Sequence, residues 1–185
     1  MTRDYSQFLP PSKTTPPPTN PLEALGWSTF FARQIDAADL ERTPPVRVTE
    51  VHRSGLHARG ADGTHTLPPS VEATVGDWVL PDPTNPAHSR VLERKGLFKR
   101  RAPGEGRAVQ LIAANIDTVF IVSSCNKDFN LARLERYLAL AYQAEATPVI
   151  LLTKGDMAED PDHYVAQAQT LGVEVLALDA RSTEV

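Results

Sequence analysis

The chain has 185 residues, of which 41% are hydrophobic and 23% charged, and its formal net charge is −4; this size allows one or two domains with a hydrophobic core. Its single cysteine, Cys125, excludes an internal disulfide and a cysteine-based metal site, which fits a reducing cytoplasm. The sequence shows neither a signal-peptide core nor an apolar run of membrane-spanning length, so we expect a soluble, cytoplasmic protein without membrane contact.

Charge is distributed unevenly along the chain. Residues 46–107 carry ten Lys/Arg against seven Asp/Glu, whereas residues 108–185 carry five against eleven. This asymmetry suggests that the middle segment meets an acidic partner and that the last segment does not.

The first 45 residues hold eight of the 16 prolines. Residues 1–21 combine six of these prolines with Ser, Thr and Lys, and we expect a disordered, polyproline-like tail there. Residues 22–45 are predicted to form a helical extension that packs against the following domain. Its apolar stripe has helical spacing and consists of Trp27, Phe31 and Ile35.

Residues 46–101 show short alternating segments separated by turns, with no helix of length. The predicted strands are 46–51, 56–59, 64–67, 75–80 and 89–94. Five short strands in so few residues are typical of an all-β, OB-type barrel, a fold that binds oligonucleotides through a basic groove.

A cluster of basic residues lies where this predicted barrel ends. We predict that it binds RNA through Arg90, Arg94, Lys95, Lys99, Arg100 and Arg101. The alternative is a solvated strand and linker, which is the commoner origin of charge runs.

The same segment contains four of the five histidines, at positions 52, 57, 65 and 88. Their spacing along the sequence matches no known arrangement of metal ligands, so no metal site is predicted.

Residues 102–107 are predicted to be a flexible linker. After it, segments with strand and helix patterns alternate in the order β-α-β-α-β, with strands at 116–122, 147–153 and 173–178. Right-handed crossovers convert that order into part of a parallel sheet.

The middle of these strands ends in a polar turn, Thr153-Lys154-Gly155-Asp156. Ligands of open α/β sheets bind at the carboxyl ends of the strands. The Asp156 carboxylate can accept two hydrogen bonds from the N–H/NH₂ edge of guanine, and the Lys154 stem can lie along a base. This is the spacing of the guanine-specificity motif Asn-Lys-x-Asp, with Thr153 in the first place.

Four separate blocks resemble the ribosome small-subunit-dependent GTPase A family of circularly permuted bacterial GTPases. They occur in the family's order and span residues 75–79 (VGDWV), 94–100 (RKGLFKR), 110–122 and 129–138. The resemblance covers about residues 24–180. It implies an OB domain followed by a GTPase domain whose guanine motif precedes its P-loop.

The resemblance also implies the ligands and partners. These are GTP/GDP with Mg²⁺, a zinc ion in the family's C-terminal subdomain, and the small ribosomal subunit with its rRNA, bound by a monomer. Guanine contacts are then expected from Thr153, Lys154, Asp156 and Ala180. Two departures are that Thr153 replaces Asn, and that Asp179-Ala180-Arg181 matches the family's Ser-Ala-x loop only at alanine.

The 185 residues contain no Gly-Lys dipeptide, hence no P-loop, and no D-x-x-G. The expected fold is therefore an OB-type barrel (46–101) followed by an incomplete α/β parallel-sheet, P-loop GTPase-like domain (108–185), with no catalytic residue in this chain and an uncovered side on strand 147–153. The expected function is a ribosome-biogenesis GTPase of late small-subunit maturation, with this chain inactive alone. The alternatives are a non-catalytic RNA-binding protein with an α/β scaffold, and an unrelated nucleotide-linked α/β enzyme.

Overall fold

A computed structural model describes residues 20–101, 109–179 and 181. The chain divides into an N-terminal unit, Pro16–Ile116, and a C-terminal unit that contains Asp117–Val185. Within the described ranges, no helix combines the length and apolar character that crossing a bilayer requires.

Three short helices open the N-terminal unit: α1 (Pro21–Ala24), α2 (Thr29–Ala32) and α3 (Ala37–Arg42). The Asn20 side chain accepts a hydrogen bond from Leu22 N, and Pro21 occupies the first helical position, where its missing N–H costs nothing. Pro21 therefore belongs to a helix rather than to the predicted tail, whose residues 1–19 lie outside the described ranges.

The predicted stripe does pack against the domain that follows. The Trp27 and Trp78 ring centroids lie 4.7 Å apart, edge to face. The buried cluster around them contains Leu22, Phe31, Trp78, Leu80 and Leu92.

Five strands of this unit form one antiparallel sheet in the order β3-β2-β1-β4-β5. They are β1 (Val46–His52), β2 (Gly55–Gly60), β3 (Gly63–Leu67), β4 (Trp78–Leu80) and β5 (Arg90–Val91). The buried core of this sheet contains Val46, Val48, Leu56, Ala58, Leu67 and Val79 from its strands and Val71 from the segment after β3. A separate antiparallel pair consists of β6 (Leu97–Arg101) and β7 (Val109–Ala114).

The predicted OB-type barrel is not confirmed, because in the described part of this unit the five-stranded sheet does not close. Of the predicted strand 75–80, only the three residues of β4 are in strand conformation, and of the predicted strand 89–94, only the two residues of β5 are. Gly76, at φ +90°, takes the chain out of strand conformation before β4. In addition, β6 pairs with β7 instead of extending the sheet.

The boundary between the units lies between Ile116 and Asp117, whereas the sequence placed it between residues 107 and 108. Strand β7 belongs to the N-terminal unit, since it pairs with β6 in the register Leu97↔Ala114 to Arg101↔Val109. Sequence pattern alone does not show such a pairing across an intervening segment. The predicted linker 102–107 lies outside the described residues.

The C-terminal unit has the predicted β-α-β-α-β order, and its three strands form a parallel sheet, β10-β9-β8. The elements are β8 (Thr118–Ser124), α4 (Leu131–Gln143), β9 (Thr147–Thr153), α5 (Pro161–Gln169) and β10 (Glu174–Ala177). Side chains cap both helices, since Asn130 accepts from Arg133 N at 2.9 Å and Asp160 from His163 N at 3.1 Å.

The core of this unit lies on one face of the sheet. It contains Ile121, Leu134, Leu138, Ile150, Leu152 and Ala168, from β8, β9 and both helices. On β8, Phe120 and Val122 remain 60% and 62% exposed. The most exposed apolar side chains of this opposite face are thus on the edge strand β8, whereas the sequence placed the uncovered side on β9. On the same face of β9, Val149, which pairs with Phe120, is buried, and Leu151, which pairs with Val122, is half-buried.

Candidate functional site

The polar turn after β9 has a defined backbone conformation. Thr153 is the last residue of the strand, and Lys154 adopts left-handed φ and ψ angles of 59° and 28°. A 3₁₀ turn, Gly155–Met157, follows at once. A left-handed residue other than glycine is uncommon and marks a sharp change of chain direction, which here leaves Lys154 and Asp156 exposed beside the strand end.

Thr153 links the ends of two neighbouring strands. Its Oγ1 donates a hydrogen bond to Ser123 O at 3.2 Å, and its carbonyl accepts one from Cys125 N at 2.8 Å. The hydroxyl therefore holds the turn to the carboxyl end of β8.

Asp156 faces the segment that follows β10. Its carboxylate accepts a hydrogen bond from the Arg181 guanidinium, and Leu178 N donates to Leu152 O at 2.9 Å, which holds this segment beside β9. The carboxyl ends of β9 and β10 thus bring together the two loops that the sequence singled out. Ala180 lies outside the described residues.

Asp179 and Arg181 form a local turn within this second loop. Arg181 N donates to Asp179 Oδ1 at 3.0 Å, and this backbone hydrogen bond is the main reason that the pKa of Asp179 lies below its ordinary value. The pKa of Arg181 is raised, first by its side-chain hydrogen bond to Asp179 and then by the charge of Asp156. Arg181 is therefore a permanent cation held between two carboxylates.

This edge offers groups that can contact a base, but its described residues form no cradle for phosphates. The Asp156 carboxylate can accept hydrogen bonds from planar N–H donors, and Lys154 carries a long apolar stem. The described residues here include no glycine-rich loop leading from a strand into a helix. The phosphates of a nucleotide, and a Mg²⁺ ion bound to them, do not fit this residue set, so no step of hydrolysis is assigned to it.

The predicted RNA-binding residues fall into two groups in the structure. Arg94 donates from Nε and Nη2 to the two carboxylate oxygens of Asp77, both at 2.8 Å, and Asp77 is fully buried. The hydrogen bond to Asp77 raises the pKa of Arg94. Arg90 donates to Asp39 Oδ2 at 2.7 Å and to Gln34 O at 3.2 Å. Both of these arginines have partners within the N-terminal unit.

The other predicted residues lie on or next to β6. Lys95, Lys99 and Arg100 are exposed, and Arg100 Nε donates to the Gln110 side chain on β7 at 2.9 Å. Arg101 ends β6 opposite Val109, and its side chain is not among those described.

One group of polar side chains was missed at the sequence level. Glu50, His52 and His57 each present a potential metal-ligand atom, and these atoms lie within 4.8 Å of one another. The two histidines belong to different strands of the β1–β2 hairpin. Linear spacing does not reveal a cross-strand cluster; the signal would have been the hairpin register, which includes a bulge.

Comparison with families of known proteins gives a match to the RsgA GTPase model over residues 91–185. This match includes β6, the turn after β9 and the loop after β10.

Two curated proteins are similar over most of the chain. The small ribosomal subunit biogenesis GTPase RsgA of Mesorhizobium japonicum is 51% identical over 155 residues, which are 81% of this chain and 44% of that protein. The small ribosomal subunit biogenesis GTPase RsgA 2 of Vibrio parahaemolyticus is 45% identical over 176 residues, covering 89% of this chain and 48% of that protein. The chain thus spans about half the length of these relatives.

Two solved structures share the fold. The crystal structure of YjeQ from Thermotoga maritima superposes with a TM-score of 0.55 at 18% identity. The match covers 74% of this chain and 52% of the YjeQ chain. The crystal structure of YloQ, described as a circularly permuted GTPase, superposes with a TM-score of 0.54 at 19% identity. The match covers 76% of this chain and 53% of the YloQ chain. The family match and the extent of identity to these curated relatives show that the chain belongs to the RsgA GTPase family.

Proposed function

We propose that this chain is the nucleotide-reading and RNA-docking part of a cytoplasmic, monomeric GTPase that acts in late maturation of the small ribosomal subunit. The observation that carries the proposal is the position of Asp156 and Lys154, which follow the central parallel strand of a family member whose relatives are named for this activity. Their guanine-motif spacing and their place at a strand end agree with each other.

In this proposal, Asp156 accepts hydrogen bonds from the N–H/NH₂ edge of guanine. The Arg181 guanidinium now bonded to Asp156 is also a planar N–H donor, so the carboxylate already has access to donors of that geometry. Lys154 lies along the base, Thr153 holds the turn to β8, and Ala180 contacts the base from the loop after β10.

The phosphates are bound elsewhere in this proposal. Because the 185 residues contain no P-loop sequence, we expect this chain to show no GTP hydrolysis and at most millimolar affinity for guanine nucleotides. GTP with Mg²⁺ would be the ligand of full-length members of the family, and the zinc ion of the family's C-terminal subdomain has no cysteine ligand set in these 185 residues.

Guanine specificity is tested by titrating the ¹⁵N-labelled chain with GDP and ADP. We expect GDP to shift the amide signals of Lys154 to Met157, while ADP leaves them in place. Asp156→Asn removes charge-assisted hydrogen bonds, so GDP binding should weaken by about 10- to 150-fold and leave the measurable range. Xanthosine diphosphate carries a carbonyl acceptor where guanine carries its amino donor. It should therefore bind the Asn variant better than GDP does.

A matched control is Asp128→Asn, which removes an exposed carboxylate from the similar sequence Asn126-Lys127-Asp128 and should not change the GDP response. Equal responses to GDP and ADP in the unmodified chain would remove Asp156 from this role. That outcome would favour the alternative of a non-catalytic RNA-binding protein, which the absence of a P-loop sequence also permits.

RNA docking is assigned in this proposal to the exposed cations on and beside β6. Lys95, Lys99 and Arg100 lie close in sequence on one short stretch and are exposed to solvent. Phosphate contacts by such residues release counterions, so their contribution appears in the salt dependence of binding. Arg90 and Arg94 would act mainly by holding the fold, given their partners Asp39 and Asp77.

Replacing Lys99, Arg100 and Arg101 with alanine should lower the magnitude of the slope of log K against log salt by up to about two units, as measured by titrating the chain into a structured RNA hairpin. A control triple variant removes the same charge elsewhere in this unit, at Arg33, Arg53 and Arg59, which are also exposed. If both variants change the slope equally, the β6 residues have no special role and contribute only net charge.

A further inference from the structure

The outer face of the β1–β2 hairpin carries three potential ligand side chains that the proposed function does not use. Glu50 and His52 lie on β1 and His57 lies on β2. Their ligand atoms are all within 4.8 Å of one another, and each side chain is accessible to solvent.

A β-bulge is the reason that these side chains share a face. Val48 pairs with Ala58, and both are buried; the next pair is Glu50 with His57, so Thr49 is the extra residue. In a regular ladder Thr49 would face His57, and Glu50 would fall on the core side. The bulge redirects Glu50 outward, and Thr49 Oγ1 stabilises it by donating to His57 O at 3.2 Å.

The register after the bulge brings the second histidine to the same place. His52 follows Glu50 by two residues and therefore lies on the same face. Its Nε2 is 2.9 Å from Glu50 Oε2, and the His52 and His57 rings are 5.3 Å apart in an edge-to-face arrangement. The hydrogen bond from His52 is the main cause of the lowered pKa of Glu50.

The neighbouring positions leave room for a cation. On β3 the residue opposite His57 is Thr66, which is exposed and uncharged. The next residue of β2 on this face, Arg59, pairs with Arg47 and lies two residue pairs further from the turn than the pair of Glu50 and His57. The cluster itself contains no lysine or arginine.

We propose that Glu50, His52 and His57 form a binding site for a divalent first-row transition metal ion, of which Zn²⁺ is the natural probe. Two imidazoles and one carboxylate are ligands that zinc accepts, whereas Ca²⁺ and Mg²⁺ prefer oxygen alone. Three protein ligands leave a fourth position for water or for an oxygen donor from outside the chain.

The geometry needs only side-chain adjustment. Metal–ligand distances of about 2.0–2.2 Å in a tetrahedron place ligand atoms about 3.3 Å apart. The present separations are at most 4.8 Å, and the two strands are already fixed by their ladder. Side-chain rotations of the exposed imidazoles and the carboxylate can close the difference without moving the backbone.

The hairpin region offers a matched control. His65 Nε2 lies 2.7 Å from Asp62 Oδ1, which is a histidine–carboxylate pair without a second histidine. Such a pair supplies two ligands instead of three, so His65→Ala should leave zinc binding unchanged.

The test is isothermal titration of Zn²⁺ into the 185-residue chain freed of any affinity tag. We expect one zinc ion per chain at submillimolar concentration, and at least about tenfold weaker binding for His52→Ala, His57→Ala and Glu50→Gln. All three positions are accessible to solvent, so these variants should fold. In histidine-selective NMR spectra, Zn²⁺ should shift the ring signals of His52 and His57 and leave those of His65 and His88 in place.

Failure to bind Zn²⁺ at submillimolar concentration would overturn the proposal. A loss of affinity in His65→Ala as large as that in His57→Ala would also overturn it, because it would show dispersed binding to surface histidines. Ring-signal shifts of equal size for all the histidines would lead to the same conclusion.

Discussion

Replacing Gly76 with alanine is expected to lower the free energy of unfolding of the N-terminal unit by roughly 3 to 5 kcal/mol. Gly76 adopts φ +90°, where a side chain is strained, and a Cβ at this position would lie 2.0 Å from the backbone oxygen of Ala114. Because that oxygen is a backbone atom of β7, relief of the clash requires a backbone shift of residue 76 or of the β6–β7 pair. Urea denaturation followed by tryptophan fluorescence measures the effect, since Trp27 and Trp78 both lie in this unit.

The variant Gly63→Ala is the control that measures the cost of backbone strain without a steric clash. Gly63 also has a positive φ, +130°, but a Cβ there would meet no atom within 4 Å. Only the backbone term then applies, about 1–3 kcal/mol. An equal loss of stability in the two variants would show that the close approach of Gly76 to Ala114 is not a feature of the folded protein.

Replacing Arg94 with alanine is expected to destabilise the same unit by about 3–5 kcal/mol. The Asp77 carboxylate is fully buried and accepts two hydrogen bonds from Arg94 and one from Thr74 N at 2.8 Å. Removing the guanidinium leaves a buried charge with no cation to balance it, which is the costly way to break such a pair. Thermal and urea unfolding of the variant measure the loss.

Arg90→Ala is the matched control, since it also deletes one arginine that the sequence assigned to RNA. Arg90 and Asp39 keep 51% and 27% of their side-chain surface exposed, so solvent screens their ion pair and the expected loss is under about 1 kcal/mol. Similar stability of the two variants would contradict the structural role of Arg94. If Arg94→Ala is the less stable, any loss of RNA binding in it must be corrected for the fraction unfolded before it is assigned to a phosphate contact.

The C-terminal unit was predictable from sequence because its signals are local. Asn130 and Asp160 sit one residue before the helices that they cap, and Gly172 follows the second helix at φ +72°. The apolar run Val149–Leu152 forms the middle of the central strand. Motif spacing likewise placed Asp156 at a strand end, but its contact with Arg181 joins residues 25 positions apart and no local pattern reports it.

The N-terminal unit shows where sequence reasoning ends. Alternation and turns predicted five strand segments, which β1 to β5 occupy in whole or in part, but they did not predict β6 and β7. These two strands form through their pairing with each other across an intervening segment, which no local pattern reports. Closure into a barrel depends on strand length and stagger, and β4 and β5 are too short to supply them.

The amino-acid sequence alone therefore determined where the elements of the C-terminal unit lie, the family resemblance and the turn that carries Asp156, because caps, periodicity and motif spacing act over a few neighbouring residues. Only the tertiary structure decided which charges are available. In the structure, Arg94 is hydrogen-bonded to the buried Asp77 carboxylate, whereas Lys99 and Arg100 are exposed to solvent. Glu50 and His57 lie close together on two neighbouring strands. The physical reason is that burial and strand register depend on residues distant in the chain, and a single bulged residue reverses the face on which a side chain lies.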